Sequence, residues 1–586
     1  MRILFDSKST EYKTPFGCIA PEEVCTLQIR IPVTVEAKKV RIVIERENGQ
    51  RYEEWTMQAV ATEGAYEIWK GHFSIPEPGL YFYYFQIAQA HNQFRLFKYG
   101  DDTNMEAGGK WQISCIPAEF TTPDWAKGAV IYQIFPDRFH KSGSCDLTGK
   151  TQPYTVHASW DEEVCWQPDA QGKVLNNDFF GGNFRGITEK MDYISSFGTD
   201  IIYLNPISKS FSSHRYDTGD YMTPDPMLGT AADFQALCAA AHARGIRVVL
   251  DGVYSHTGAD SLYFNKYGSY GDGGAYRDPE SPFRSWYRFR EYPDSYESWW
   301  DFDTLPAVEE TDPGFLRYII TSPQSVIAYW LSLGADGFRL DVADELPDRF
   351  IRLLKQRLRQ LRPDGLLMGE VWEDASNKIA YDTRRRYFID GELDSIMNYP
   401  FRTAIVDFVR GTDDGQQLRQ TVLTIGENYP QQVLPCNMNH LGTHDTPRIL
   451  TALVDDFDGS RQQLAERKLS EAQLALAKDR LKLASFLQFT LPGSPSIYYG
   501  DEAGMEGGKD PFNRRPYPWG KEDSDLLSHF RWLGQLRKTY PALKLGDIRF
   551  IRARDGQLCF RRQWQEQILE ISIDQKNNTY QLQEIK

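Results

Sequence analysis

The sequence has no run approaching the roughly 20 consecutive apolar residues of a helical bilayer span, which excludes an integral helical membrane protein. It has no excess of positive charge. Asp and Glu number 81 against 66 Lys and Arg, a net charge of −15, so a polyanion such as DNA or RNA is not its main partner. It has only 8 cysteines in 586 residues. None form a C-x-x-C pair, which removes the zinc-ribbon and thioredoxin-type readings. Cys18, Cys25, Cys115, Cys145, Cys165, Cys238, Cys436 and Cys559 are too scattered along too long a chain for a disulfide framework, and free buried thiols are expected. The start, Met1-Arg2-Ile3-Leu4-Phe5-Asp6-Ser7-Lys8, turns polar at once and lacks a signal-peptide apolar region, so a cytoplasmic location is expected. Internal repeats and low-complexity tracts are also missing.

What remains is a globular composition, 41% hydrophobic and 25% charged, on a chain long enough for several domains. Aromatic residues stand out at 13%, with 14 Trp, 32 Tyr and 33 Phe. They serve core filling, and they also offer flat faces on which a sugar ring can stack. Residues 1–120 read as a β-sandwich. Val24 to Ile31, Lys39 to Ile44 and Leu80 to Ile87 are short alternating runs separated by Gly and Pro. After a linker at Pro117 to Asp124 the rhythm changes. Apolar strands at Val130–Ile134, Ile201–Leu204, Arg247–Leu250, Gly337–Leu340, Leu366–Met368, Ser395–Met397, Met438–Leu441 and Ser496–Tyr499 alternate with helical stretches such as Ala231–Arg244 and Ala472–Phe486. Eight β-then-α repeats predict an α/β fold, a (β/α)₈ TIM barrel over residues 121–540. The aromatic interval from His256 to about Pro306 is too long for a plain loop and reads as a subdomain inserted after the third strand. Residues 541–586 return to short β runs and read as a short C-terminal β domain.

In such a barrel the chemistry sits where the strands end. Asp251 ends the third strand, Asp341 the fourth and Glu370 the fifth, while His444-Asp445 follows the seventh. One strand-end carboxylate is ordinarily a cap or loop ligand. Several at one barrel end, beside Arg339 and His256, repel one another and cost stability, which is tolerated where function needs it. Convergent carboxylates suit glycoside hydrolysis, with one as nucleophile, a second as acid and base, and a third stabilising the oxocarbenium-like transition state.

The chain resembles the α-amylase family of glycoside hydrolases, in its neopullulanase, cyclomaltodextrinase and maltogenic amylase branch. The resemblance covers nearly the whole chain. It rests on Val130-Ile131-Tyr132-Gln133-Ile134-Phe135-Pro136-Asp137-Arg138-Phe139, Phe179-Phe180-Gly181-Gly182-Asn183, Asp251-Gly252-Val253-Tyr254-Ser255-His256, Gly337-Phe338-Arg339-Leu340-Asp341, Gly369-Glu370-Val371-Trp372, His444-Asp445-Thr446 and Tyr499-Gly500-Asp501-Glu502. Asp341, Glu370 and Asp445 follow one another at intervals of 29 and 75 residues. The resemblance implies Asp341 as nucleophile, Glu370 as general acid/base and Asp445 as transition-state stabiliser. It implies substrate contacts at Tyr216, Asp251, His256, Arg339, Trp372, His444, Asp510 and Arg514. It also implies a starch-binding-like N-terminal module through which two copies join as a homodimer and narrow each other's clefts.

Four departures bear on metal binding and specificity. The family's Asn before the motif histidine, often a calcium ligand, is Ser255. Its Gly-Gly-Asp is Gly181-Gly182-Asn183, and the loop His140 to Asp146 is poor in oxygen ligands for a hard cation. No cofactor is expected, with calcium left open. The branch's Val-Ala-Asn-Glu is Val342-Ala343-Asp344-Glu345 here. The expected activity is retaining hydrolysis of α-1,4 bonds in maltooligosaccharides, cyclodextrins or pullulan. Transglycosylation by the same residues is the alternative, and a non-catalytic glucan-binding protein on the same fold a remote one. α-Glucan oligosaccharides are the expected partners, with no nucleic acid and no membrane.

Overall fold

The computed structural model describes residues 2–100 and 102–585, and the outer domain limits expected at residues 1 and 586 lie outside them. The chain forms two compact units. The first takes the chain up to Thr121 together with Asp374–Glu392 and Gln420–Leu434; the second takes Thr122–Glu373, Leu393–Arg419 and the chain from Pro435.

The first unit is built on an antiparallel sheet of nine strands between Lys13 and Cys115. Along Cys25–Pro32, the side chains of Cys25, Leu27, Ile29 and Ile31 are buried while Thr26 and Arg30 reach the surface, as a two-residue period demands. Along Gly79–Ala88, Tyr81, Tyr83, Phe85 and Ile87 do the same. These two rows stand well apart in the order of hydrogen-bonded strands, yet they share one core with Phe5 and Trp111. The Phe5 ring meets Phe85 and Trp111 edge-on at 4.8 and 5.0 Å. The sheet thus closes over its own core, as a sandwich does. The two later segments are tied in by polar contacts. Lys13 Nζ, fully buried, pairs with Glu427 Oε1 at 2.9 Å, Gln112 Nε2 donates to Ser376 Oγ at 3.0 Å, and Arg386 Nη1 pairs with Glu47 Oε1 at 2.8 Å.

The second unit holds the barrel. Its strands are Ile131–Ile134, Ile201–Leu204, Arg247–Gly252, Gly337–Leu340, Leu366–Gly369, Ser395–Ile396, Met438–His440 and Ser494–Tyr498. All pair in parallel, and the first lies between the second and the eighth. A single parallel bridge from Met397 to Met438 spans the remaining gap between strands six and seven. Ile131, Ile201, Tyr203, Val249, Leu366, Met368 and Met438 fill the middle. Tertiary packing and caps define the helices. Thr230 and Asp233 form a capping box on Ala231–His242, and Ser470 and Gln473 form one on Glu471–Thr490. The latter helix runs four residues beyond the sequence expectation. Every residue from Leu483 to Thr490 is buried, so the one-sided apolar period that marks a surface helix is lost there.

Between His256 and Pro306 the regular structure amounts to single turns and a ribbon, Phe289–Glu291 with Ser295–Tyr296, held by rings such as Tyr263 stacked on Trp286 at 5.2 Å. The chain ends in a four-stranded antiparallel sheet over Asp547–Arg554, Gln557–Trp564, Gln567–Asp574 and Thr579–Ile585. All eight cysteines are free thiols. Only Cys25, Cys115, Cys238 and Cys436 are buried, which corrects the expectation that all would be, and Cys165 is exposed. No helix among the described residues is long and apolar enough to cross a membrane.

Candidate active site

The third, fourth and fifth barrel strands deliver Asp251, Asp341 and Glu370 to one end of the barrel, and Arg339 lies buried among them. Its Nη1 donates to Asp251 Oδ1 at 2.7 Å and to Asp341 Oδ1 at 2.8 Å. Its Nη2 stands 2.7 Å from Glu370 Oε2, at an angle that makes this an ion contact and not a directed hydrogen bond. Two tyrosines hold the other Asp251 oxygen, Tyr203 at 2.7 Å and Tyr216 at 2.8 Å. The Glu370 carboxylate also accepts from Val342 N at 2.9 Å, Trp372 Nε1 at 3.0 Å and Tyr399 Oη at 3.3 Å. Val342 has φ 34°, a left-handed conformation that a β-branched residue adopts only under constraint. Here it aims the peptide N–H after Asp341 at Glu370.

A second row faces the first. Tyr216 and His444 lie parallel with ring centres 5.3 Å apart, and the Tyr216 hydroxyl bonds His444 Nε2. His444 Nε2 is 3.0 Å from Asp445 Oδ2, and Gln133 Nε2 fixes His444 Nδ1 at 3.0 Å. Arg514 donates from Nη2 to Asp445 Oδ1 at 3.3 Å and pairs through Nη1 with Asp510 at 3.0 Å. His256 Nε2 bonds the Tyr216 carbonyl at 3.1 Å. The structure therefore brings all eleven residues singled out in the sequence to one place. Tyr216, His256, Asp341, Glu370, Trp372, His444, Asp445, Asp510 and Arg514 line a cleft of about 820 Å³, while Asp251 and Arg339 lie beneath its floor, fully buried.

Burial dominates the electrostatics. It pushes the Asp341 carboxyl well above its ordinary range, against the pull of Arg339 and with help from the neighbouring Glu370, Asp251 and Asp445 charges. Asp251 and Asp445 are raised by burial too, opposed chiefly by Arg339 and Arg514 respectively. Burial lowers His256 to about 4 and holds His444 well below its usual value, so both are neutral near pH 7. Ionising Asp251, Asp341 and Glu370 together beside one guanidinium would leave two net negative charges in a buried site. Burial therefore favours the protonated forms of Asp251 and Asp341 over their ionised forms.

Sequence reading missed several contributors. Tyr203 and Gln133 lie inside barrel strands, where alternation alone turns them inward. Tyr399 starts the helix after strand six. Trp299 and Trp300 stack at 4.9 Å on the cleft wall, and both indole N–H groups donate to Glu345. The positions tied to calcium by resemblance are engaged otherwise. Asn183 Oδ1 caps a helix by accepting from Gly186 N at 2.8 Å, its Nδ2 donates to Ser142 O at 2.9 Å, and Ser255 Oγ bonds His256 Nδ1 at 3.0 Å. These residues do not form a cage for a hard cation.

Residues 133–540 match the α-amylase catalytic-domain family. The chain belongs to the α-amylase family of glycoside hydrolases. Among curated relatives, an amylopullulanase of Thermoanaerobacter thermohydrosulfuricus is 36% identical over 95% of this chain and 40% of that protein. A cyclomaltodextrinase of Geobacillus thermopakistaniensis is 32% identical over 79% of this chain and 71% of that protein. The chain spans less than half the length of the amylopullulanases it matches. Among solved α-amylase-family structures, the type III pullulan hydrolase of Thermococcus kodakarensis is similar with a TM-score of 0.66 at 25% identity, over 98% of this chain and 94% of that one.

Proposed function

We propose that this chain is a retaining α-glucan hydrolase that cleaves α-1,4-glucosidic bonds of maltooligosaccharides, cyclodextrins or pullulan. The observation that carries the reading is the single guanidinium of Arg339 touching Asp251, Asp341 and Glu370 at the floor of one cleft. Asp341 attacks the anomeric carbon as a carboxylate, and Glu370, as a carboxylic acid, gives its proton to the leaving oxygen, giving a covalent glycosyl-enzyme. Glu370 then takes a proton from water, whose oxygen attacks the same carbon and releases Asp341. Asp445, steadied by His444 and Arg514, stabilises the positive charge that develops on the sugar ring. Tyr216, backed by His444, presents a flat face to that ring. The substrate class rests on the similarity to a cyclomaltodextrinase, a pullulan hydrolase and amylopullulanases. Two inversions preserve configuration, so proton NMR of fresh products should show α-anomers first. Initial release of β-anomers would overturn the mechanism.

The reading extends to a cytoplasmic homodimer joined through the N-terminal strands. Eight unpaired thiols suit a reducing compartment. The strand Arg51–Glu63 pairs with Lys39–Arg46 along its first half and with Tyr66–Phe73 along its second, and it is exposed along most of its length, a surface suited to a second copy. Sizing in solution tests it: a monomer at micromolar concentration would sink the dimer.

A further inference from the structure

Away from the carboxylate cluster, three donors of different chemistry converge. His157 Nε2 lies 3.0 Å from Asp178 Oδ2 and 4.0 Å from Cys165 Sγ, and one ligand atom from each residue falls within 4.8 Å of the others. The other ring nitrogen, His157 Nδ1, is 2.7 Å from Glu162 Oε2. A neutral imidazole has one N–H and so can donate to only one of these two carboxylates. With that hydrogen on Glu162, Nε2 turns a lone pair toward Asp178 and Cys165, the orientation in which the three side chains could hold one ion. This is the carboxylate–histidine–metal arrangement, in which an outer carboxylate fixes the tautomer.

The donors are held in place before any ion arrives. The imidazole stacks on Phe180 at 3.9 Å and 17°. Asp178 is buried and accepts from Cys165 N at 3.1 Å. Arg138 is the competing cation: its Nε is committed to Asp137 at 2.7 Å and its Nη1 to the Arg514 carbonyl at 3.1 Å, while its Nη2 donates to the Asp178 carbonyl at 3.1 Å and reaches Asp178 Oδ2 at 3.5 Å. A tetrahedral zinc ion places N, O and S donors roughly 3.2–3.6 Å apart; the two pairs that His157 makes stand at 3.0 and 4.0 Å and all three donors lie within 4.8 Å of one another, so binding would draw the Cys165 side chain inward. A mixed imidazole, thiolate and carboxylate set favours zinc over calcium or magnesium.

We propose that His157, Cys165 and Asp178 form a zinc site, with Glu162 orienting the imidazole. Its place gives it a consequence. It closes the span between residues 157 and 178, and within that span Lys173, Val174, Leu175 and Asn176 line the cleft. The ion would tie down one wall of the cleft without touching the reacting atoms.

The test uses the full chain, stripped with chelator and exchanged into clean buffer, then titrated with Zn²⁺ or Co²⁺ alone. One Zn²⁺ should be retained per chain, and Co²⁺ should give a thiolate-to-cobalt band in the near ultraviolet. Cys165→Ser, at an exposed position, should keep its metal-free melting profile and lose the band. Glu162→Gln should keep the band while Zn²⁺ affinity falls about 10- to 100-fold. Zn²⁺ should slow proteolysis between residues 157 and 178 in the unaltered chain but not in Cys165→Ser. Failure to retain Zn²⁺ stoichiometrically would overturn the proposal. A cobalt band that survives in Cys165→Ser would overturn it equally.

Discussion

The two ends of the barrel handle buried acids in opposite ways. At the end where strands four and six begin, Asp336 and Asp394 are each outnumbered by cations. Asp336 accepts from His242 at 2.7 Å, Arg247 at 3.0 Å, Arg362 and the amide of Val248 at 2.7 Å. Asp394 accepts from Arg359 and the amide of Leu367, both at 2.9 Å, with the Lys355 ammonium beside it. At the opposite end three acids share Arg339. Surplus donors make an acid a fixed strut; surplus acids leave negative charge at the cleft floor, which the positively charged transition state of the proposed reaction would draw on. One scaffold thus separates what stabilises it from what it does.

The sharpest break of this contrast is Asp341→Asn. It should lower kcat by at least about a thousandfold, while Tm stays the same or rises because one of several crowded negative charges is gone. Near-normal turnover would remove Asp341 from the role of nucleophile. At the other end, Asp336→Ala should do the reverse. It strands the Val248 amide, the His242 ring and two guanidinium groups, and should shift the urea midpoint by an amount equivalent to roughly 2–4 kcal/mol. kcat/KM of the folded fraction should stay within a few-fold, and an unaltered midpoint would mean that the strut carries no load. The smallest effect concerns Glu502, which follows the last strand and accepts from Tyr132 at 2.5 Å and Tyr193 at 3.0 Å. Burial raises it from 4.5 to about 7, so the folded chain holds this proton more tightly than the unfolded one. Its stabilising contribution is complete below 4.5 and is lost as pH rises through about 7. Glu502→Gln should therefore gain a few degrees in Tm relative to the unaltered chain between pH 5 and pH 8; parallel Tm curves would show that Glu502 does not titrate there.

The barrel strands and the acids at their ends were legible because both follow from local pattern. A short buried strand closed by an acid, as at Gly337-Phe338-Arg339-Leu340-Asp341, can be read without neighbours. Tyr399 and Tyr203 were not, since a tyrosine in or beside a strand looks the same whether it fills space or bonds a carboxylate. The grouping of Asp374–Glu392 and Gln420–Leu434 with the N-terminal strands depends on pairings such as Lys13 with Glu427, more than 400 residues apart, and nothing local announces them. His157, Cys165 and Asp178 follow no recognised spacing, and only the fold reveals their convergence.

The left-handed turn at Val342 reaches further than its size suggests. The acids proposed as nucleophile and proton donor are linked through the main chain, since residue 341 precedes the turn and the amide of residue 342 bonds Glu370. Val342 is, at the same time, one of the residues lining the cleft. What must stay constant is written in the peptide, and what can vary is written in the side chain. Such a position lets a lineage or an engineer change which sugar fits while the spacing of the reacting groups is inherited intact.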